Sequence, residues 1–81
     1  MKIEHVEWLD SQGVQPGWQD LKEFQPALPI MKSIGWLVYE NDVMISLCGN
    51  IGEETTSTLF QGNGIITIPK ICIQKRTVVN L

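Results

Sequence analysis

The segment from Ile30 to Glu40 constrains the fold more than any other part of the chain, because it reads as a long β-strand. Successive side chains of a strand point to opposite faces of the sheet. Here the odd and the even positions are both largely apolar in the middle of the segment. This pattern is typical of a strand that is covered on two sides. We therefore expect a homo-oligomer, in which a second copy of the chain packs on one of the faces.

Shorter strands and tight turns account for most of the remaining sequence. Runs rich in β-branched and aromatic residues, bounded by Gly, Pro, Asn and Asp, predict strands. A three-residue apolar spacing over Trp18–Gln25, ended by Pro26, predicts one short helical turn. The predicted strands are Lys2–Asp10, Ile30–Glu40, Val43–Asn50, Thr58–Gln61, Ile65–Ile68 and Ile71–Val79, with hairpin turns at Asn41-Asp42 and at Gly62-Asn63-Gly64.

A chain of 81 residues is one domain, spanning residues 1–81. A domain of about this size buries only ~60–65% of the surface that its unfolded chain exposes, so we expect a thin core. Cys48 and Cys72 have apolar neighbours and no CxxC spacing, which favours reduced thiols over a disulfide or a zinc site. We expect no cofactor and no metal, and a protein of the cytoplasm without a membrane span.

Five or six short strands with one helical turn predict an all-β fold, because a sheet this small avoids exposed edges by curling closed. The ending from Ile65 to Leu81, with its strand, proline, turn and strand, resembles the last two strands of an SH3-like or Sm-like barrel. The expected fold is therefore a small, strongly bent SH3-like/Sm-like barrel. Such a likeness carries no function by itself.

Four short motifs stand in order along most of the chain. They are Trp8-Leu9-Asp10-Ser11, Gly17-Trp18, Ser33 to Glu40 with its central Gly35-Trp36, and Ile68-Pro69 at the start of the last strand pair. This order resembles a group of short phage-encoded proteins with the pattern W-x-D-S, GW, S-x-GW-x-x-x-E and IP. The resemblance implies a phage accessory protein that acts in the host cytoplasm, for example in counter-defence, and it supplies no chemistry for individual residues.

Three tryptophans in so short a chain are either core residues or the walls of a pocket. Indole faces stack on nucleobases, and neighbouring hydroxyl and carboxylate groups can read base or ribose edges. The pocket interpretation predicts a ligand site built by Trp8, Trp18 and Trp36, with Asp10, Ser11 and Ser33 at its rim. For Asp10-Ser11 the simpler interpretation is a turn in which the carboxylate caps local backbone amides.

The charges are unevenly distributed. Nine acids and six bases give a net charge of −3, and residues 61–81 carry only bases, Lys70, Lys75 and Arg76. These three side chains are either an ordinary solvated surface or contacts for a phosphate, of which Arg76 is the best candidate because its guanidinium binds bidentately.

The leading hypothesis is a binding protein that sequesters a small nucleotide-like host signal. The alternative is an interaction module that inhibits a host enzyme or defence complex, since tryptophan is enriched in interface hot spots. A nucleic-acid binder is disfavoured by the acidic net charge. An enzyme is disfavoured because His5 is the only histidine and has no sequence neighbour arranged as a catalytic partner.

Overall fold

A computed structural model describes all 81 residues. Five strands form one antiparallel sheet in the order β4-β3-β2-β1-β5. The strands are β1 (Ile3–Leu9), β2 (Ile30–Glu40), β3 (Met44–Gly52), β4 (Gln61–Pro69) and β5 (Ile73–Val79), with a 3₁₀ turn at Lys70–Cys72. The expectation of an all-β fold is confirmed. The sheet is not closed, so β4 and β5 are its two edges.

The register of the strands assigns each side chain to one of two faces. Val6 lies opposite Ser33, and Trp8 lies opposite Met31, on what we call the inner face. The alternate residues lie on the outer face, where Ile3 is opposite Trp36. Register shifts between Glu7 and Trp8 against β5, and between Leu37 and Tyr39 against β3, mark irregularities of the β-bulge type, which bend and twist a sheet.

The core is small, and its central cluster lies on the inner face. Only eight of the 81 residues are buried, so most of the apolar side chains remain in contact with solvent. Four apolar residues form the central cluster, and four partly buried ones pack against it: Val6, Ile45, Leu47 and Ile68, with Trp8, Leu37, Ile66 and Ile73. A thin core of this kind is what the chain length predicts.

The predicted helical turn at Trp18–Gln25 is wrong. This stretch forms only a turn around residues 21–23, in which the Asp20 carboxylate accepts the backbone N–H of Lys22 and the Asp20 carbonyl accepts that of Glu23. Aspartate competes with helix formation by bonding nearby backbone groups, and no neighbouring element packs on this stretch to favour a helix. The helical turn of the structure is instead the 3₁₀ segment Lys70–Cys72, directly after Pro69.

The predicted hairpin turn at Gly62-Asn63-Gly64 is also wrong, because these residues lie inside the continuous strand β4. Asn63 pairs with Asn50, and Gly62 pairs with Ile51. Gly64 has a φ of +71°, which a glycine adopts without strain, so the strand deforms here and does not reverse. The chain reverses earlier, between Gly52 and Gln61.

The connection between β1 and β2 is the longest segment of the chain outside the strands. We call residues 10–29 the arm. All of them except Asp10 are exposed, and the backbone N–H of Asp10 donates to the carbonyl of Pro29 at 3.0 Å, which joins the two ends of the arm at the sheet. The molecule measures 61 Å in one direction and only 26 and 24 Å in the others. None of its helical structure is of a kind that would cross a bilayer.

Candidate functional site

Trp8 and Ser33 are predicted site residues that lie far apart in the sequence and that the structure brings into direct contact. The indole N–H of Trp8 donates to the hydroxyl of Ser33 at 3.1 Å. Both residues are half-buried on the inner face, and Trp8 packs against the core cluster. The contact fixes the polar edge of the indole inside the protein, as the core interpretation of this tryptophan predicts.

Asp10 and Ser11 stand at the base of the arm, beyond the end of β1. The Asp10 carboxylate accepts the backbone N–H of Ser11 at 2.8 Å. This is the local capping arrangement that the simpler interpretation of the motif describes. Asp10 is half-buried and Ser11 is exposed, so the hydroxyl of Ser11 is open to solvent.

The other two tryptophans lie on separate surfaces. Trp18 is on the arm with its side chain fully exposed, at 103% of the reference area. Trp36 lies opposite Ile3 and Cys48 on the outer face, whereas Trp8 faces inward. The three indoles therefore do not line one pocket within a single chain.

Arg76 lies in an ion-pair network and is not a free phosphate contact. Its guanidinium donates to both carboxylate oxygens of Glu4, at 2.7 and 2.8 Å, and to both oxygens of Glu40, at 2.9 and 3.2 Å. Lys70 also reaches Glu40, at 2.8 Å. Two of the three predicted phosphate-binding cations are thus neutralised by carboxylates. Lys75, on the exposed part of β5, is not among the ion pairs of the structure.

The network was missed because its acids lie far from Arg76 in the sequence. Glu4 is only 3% exposed, and it alternates with Val6 and Trp8 along β1. That alternation places the Glu4 carboxylate among core positions. Because a buried charge needs a partner of opposite charge, this pattern was the signal in the sequence that a basic side chain pairs with Glu4. The fold supplies the partner, because β5 pairs with β1 and not with its sequence neighbour β4.

The network makes stability depend on acid pH. Hydrogen bonds from Arg76, and then from Lys70, lower the pKa of Glu40 from 4.5 to about 2, and the carboxylates raise the pKa of Arg76 above its usual value. A carboxyl group whose pKa is lower in the folded protein stabilises the fold above its unfolded pKa. This contribution is lost as the pH falls from about 4.5 towards 2.

We therefore expect the melting temperature to fall between pH 5 and pH 2, and expect the Glu40→Gln variant to show a shallower fall over the same window, since the glutamine does not titrate. Thermal unfolding followed by circular dichroism at a series of pH values measures both slopes. Identical slopes for the two proteins would contradict the assignment to Glu40.

The arm forms an open cleft with a volume of about 480 Å³. Apolar side chains and amide side chains share its walls, and the predicted site residue Ser11 is at its edge. The lining residues are Ser11, Gln12, Gly13, Gln15, Gln19, Leu21, Phe24, Pro26, Ala27 and Leu28. The cleft is open to solvent and contains no basic side chain.

No three side chains of the His, Cys, Asp and Glu types come together as a metal-binding group. Cys48 and Cys72 are free thiols, and Cys48 is buried, where its Sγ donates to the carbonyl of Asn50 at 3.0 Å. Comparison of the chain with protein-family models, with curated proteins and with solved structures found no match.

Proposed function

We propose that the protein is a phage accessory protein that binds a host protein through its arm. The observation that carries the proposal is the exposure of three apolar side chains on one short segment: Val14 and Trp18 are fully exposed, and Leu21 is 84% exposed. Isolated apolar residues are common on protein surfaces, but a projecting segment with several of them is typical of an interaction site. Trp18 would be the central contact, since tryptophan is enriched in interface hot spots.

Charge restricts the kind of partner. Residues 10–29 contain Asp10, Asp20 and Glu23 against Lys22 alone, which gives the arm a net charge of −2. Opposite potentials on two surfaces favour encounter and suppress wrong partners. The partner is therefore a host protein with an apolar pocket and a basic rim. An enzyme or defence complex that acts on nucleic acid has such a rim, and an acidic arm would compete for it.

Sequestration of a small ligand is the second candidate, and the cleft of the arm is the observation that favours it. A volume of about 480 Å³ lies within the usual range of ligand pockets, ~300–1,000 Å³. Phe24 and Leu21 offer apolar surface, and the glutamines offer amide groups that can pair with the edge of a base. Because Arg76 and Lys70 are held by carboxylates, the ligand that suits this cleft is nucleoside-like, with its charge in solvent.

We also propose that the sheet is an SH3-like or Sm-like barrel. Support comes from the strand order with β5 beside β1, and from the 3₁₀ turn between β4 and β5. The core cluster joins Val6 of β1 to Ile68 of β4, which requires the sheet to curl. We propose further that the protein acts in the host cytoplasm. It catalyses no reaction there and does not bind nucleic acid directly.

The test of the arm is a Trp18→Ser variant, compared with Leu81→Ser as a matched control. Both side chains are fully exposed, so neither change is expected to alter the melting temperature, but only Trp18 lies on the arm. Tagged wild type and control should retain the same host protein from a bacterial lysate at near-equal molar ratio. The Trp18→Ser variant should lose that protein at least tenfold, since hot-spot truncations cost ~2 kcal/mol or more.

Retention of the same proteins by all three baits would contradict the proposal. If the purified wild type instead carries excess absorbance near 260 nm that heating releases, and captures no protein, the sequestration candidate takes its place.

A further inference from the structure

Apolar side chains cross the outer face of the sheet in one continuous row, in which Cys48 is buried and the others are half-buried or exposed. The register places Cys48 beside Trp36, Trp36 beside Ile3, and Ile3 beside Val79, while Ile65 continues the row on β4. Along β2, Ile34 lies on the same face as Trp36, and Val38 shares a hollow with Cys48 and Ile65 of that face. We call these residues the outer band: Ile3, Ile34, Trp36, Val38, Cys48, Ile65 and Val79.

Three residues of the outer band are exposed, namely Ile34, Val38 and Ile65, whereas Cys48 is buried. Ile34 is 59% exposed and Ile65 is 57% exposed. Two shallow hollows, of about 150 and 220 Å³, lie beside the band and share Phe60 and Ile51 in their walls. No residue of the arm lines either hollow, so the arm of the same chain leaves this face open to a second chain.

We infer that the outer band packs on the outer band of a second copy, around a twofold axis that runs along the row. The row has an apolar side chain on every strand. A twofold axis in the plane of the interface therefore places apolar side chains of one copy on apolar side chains of the other along the whole row. With the axis along the row, Trp36 meets its own counterpart. Ile34 then faces Val38 of the other copy, and Val38 faces its Ile34.

Charge selects this axis over the alternative. Lys32 is on the outer face of the central strand β2, where it lies opposite Glu7 of β1. A twofold axis along β2 would stack Lys32 on the Lys32 of the other copy, and like charges in direct opposition are destabilising. An axis along the row moves the two lysines to opposite ends of the interface, and it sends the two arms in opposite directions.

The band predicts a reversible dimer. Five strands spaced ~4.8 Å apart span about 19 Å, and the four residue steps from Ile34 to Val38 span about 13 Å at ~3.3 Å per step. With its margins such a face lies at the small end of specific interfaces, below ~1,200 Å² in total. We therefore expect dissociation at micromolar concentration. This inference is independent of what the arm binds.

The experiment is light scattering across the micromolar to millimolar range. The wild type should double its mass with concentration. Ile34→Lys, and Ile65→Lys as a second variant, should stay monomeric throughout with an unchanged circular dichroism spectrum. Ile71→Lys is the matched control, because Ile71 is 91% exposed on the 3₁₀ turn, outside the outer band, and this variant should dimerise as the wild type does.

A mixture of variants tests the axis. When Ile34→Lys and Val38→Glu proteins are combined, the introduced lysine of one copy faces the introduced glutamate of the other, so the mixture should dimerise at least tenfold more tightly than either variant alone. A monomeric wild type at millimolar concentration, or folded Ile34→Lys and Ile65→Lys variants that still dimerise, would overturn the inference. If the other results hold but the mixture dimerises no more tightly than either variant alone, the direction of the axis along the row is wrong. A Trp18→Ser protein that remains dimeric separates this result from the fate of the proposed function.

Discussion

Replacing Glu4 with alanine is expected to lower the free energy of unfolding by about 1.5–3 kcal/mol, the usual contribution of hydrogen bonds to a charged group. The Glu4 carboxylate is 3% exposed and accepts two hydrogen bonds from Arg76. Its removal leaves the guanidinium with Glu40 as its remaining partner and opens a gap in β1 beside Val6. This loss is a large share of the whole stability of a chain this size, about 4–12 kcal/mol at ~0.05–0.15 kcal/mol per residue.

Urea unfolding monitored by circular dichroism measures the change, and Glu7→Ala is the matched control. Glu7 is in the same strand, and its contact with Lys32 is a long surface ion pair of 3.8 Å, with side-chain exposures of 31% and 65%. Such pairs contribute at most about 1 kcal/mol, so this variant should unfold near the wild type. Equal midpoints for the two variants would show that burial of Glu4 adds nothing to the fold.

Local patterns predicted the elements that local forces determine. The apolar run over Ile30–Glu40 predicts strand β2 with its full bounds, and β-branched runs predict β1 and β5 to within two residues. The hairpin between β2 and β3 was placed correctly but is one residue longer than predicted, because the Asn41 side chain accepts the N–H groups of Val43 and Met44.

Errors occurred where the local pattern competes with tertiary pairing. Two glycines around Asn63 suggest a turn, yet pairing with β3 extends the strand through them. The helical spacing after Gly17 suggests a helix, yet this stretch has no surface to pack against and remains a turn within the arm. The local propensity of a segment predicts its secondary structure correctly only when the neighbouring element pairs or packs with the segment in that same conformation.

The arrangement of the candidate site is the feature of the structure that the sequence predicts least well, and the reason is physical. In a small fold, three tryptophans are expected to lie close together. However, the two faces of the sheet separate Trp8 from Trp36, and Trp18 lies on the arm, on neither face. One residue of register decides whether Trp36 faces Trp8 or faces away from it. The neutralisation of Arg76 was equally hidden, since Glu4 stands 72 residues earlier in the chain.

Gly35 shows how a position that reads as a flexible bend can be a steric requirement. It does not have a positive φ, so its backbone conformation is open to any residue. A Cβ at this position would lie 2.8 Å from the carbonyl oxygen of Cys48, and 3.1 and 3.2 Å from the carbonyl carbon and the amide nitrogen of the same residue. All three atoms are backbone of the neighbouring strand, which cannot move aside as a flexible side chain would.

The Gly35→Ala variant is therefore expected to lose about 3 kcal/mol of unfolding free energy, at the upper end of the cost of overpacking. Gly49→Ala is the control within the same pair of strands, because its nearest contact would be 3.7 Å, to the carbonyl oxygen of Gly64. There the added methyl group should leave stability unchanged or raise it by up to about 1 kcal/mol, since alanine restricts the unfolded chain. Urea midpoints that fall equally for both variants would assign the cost to the loss of glycine flexibility. A fall at Gly35 alone would assign the cost to the close approach of β2 to the backbone of β3 at Cys48.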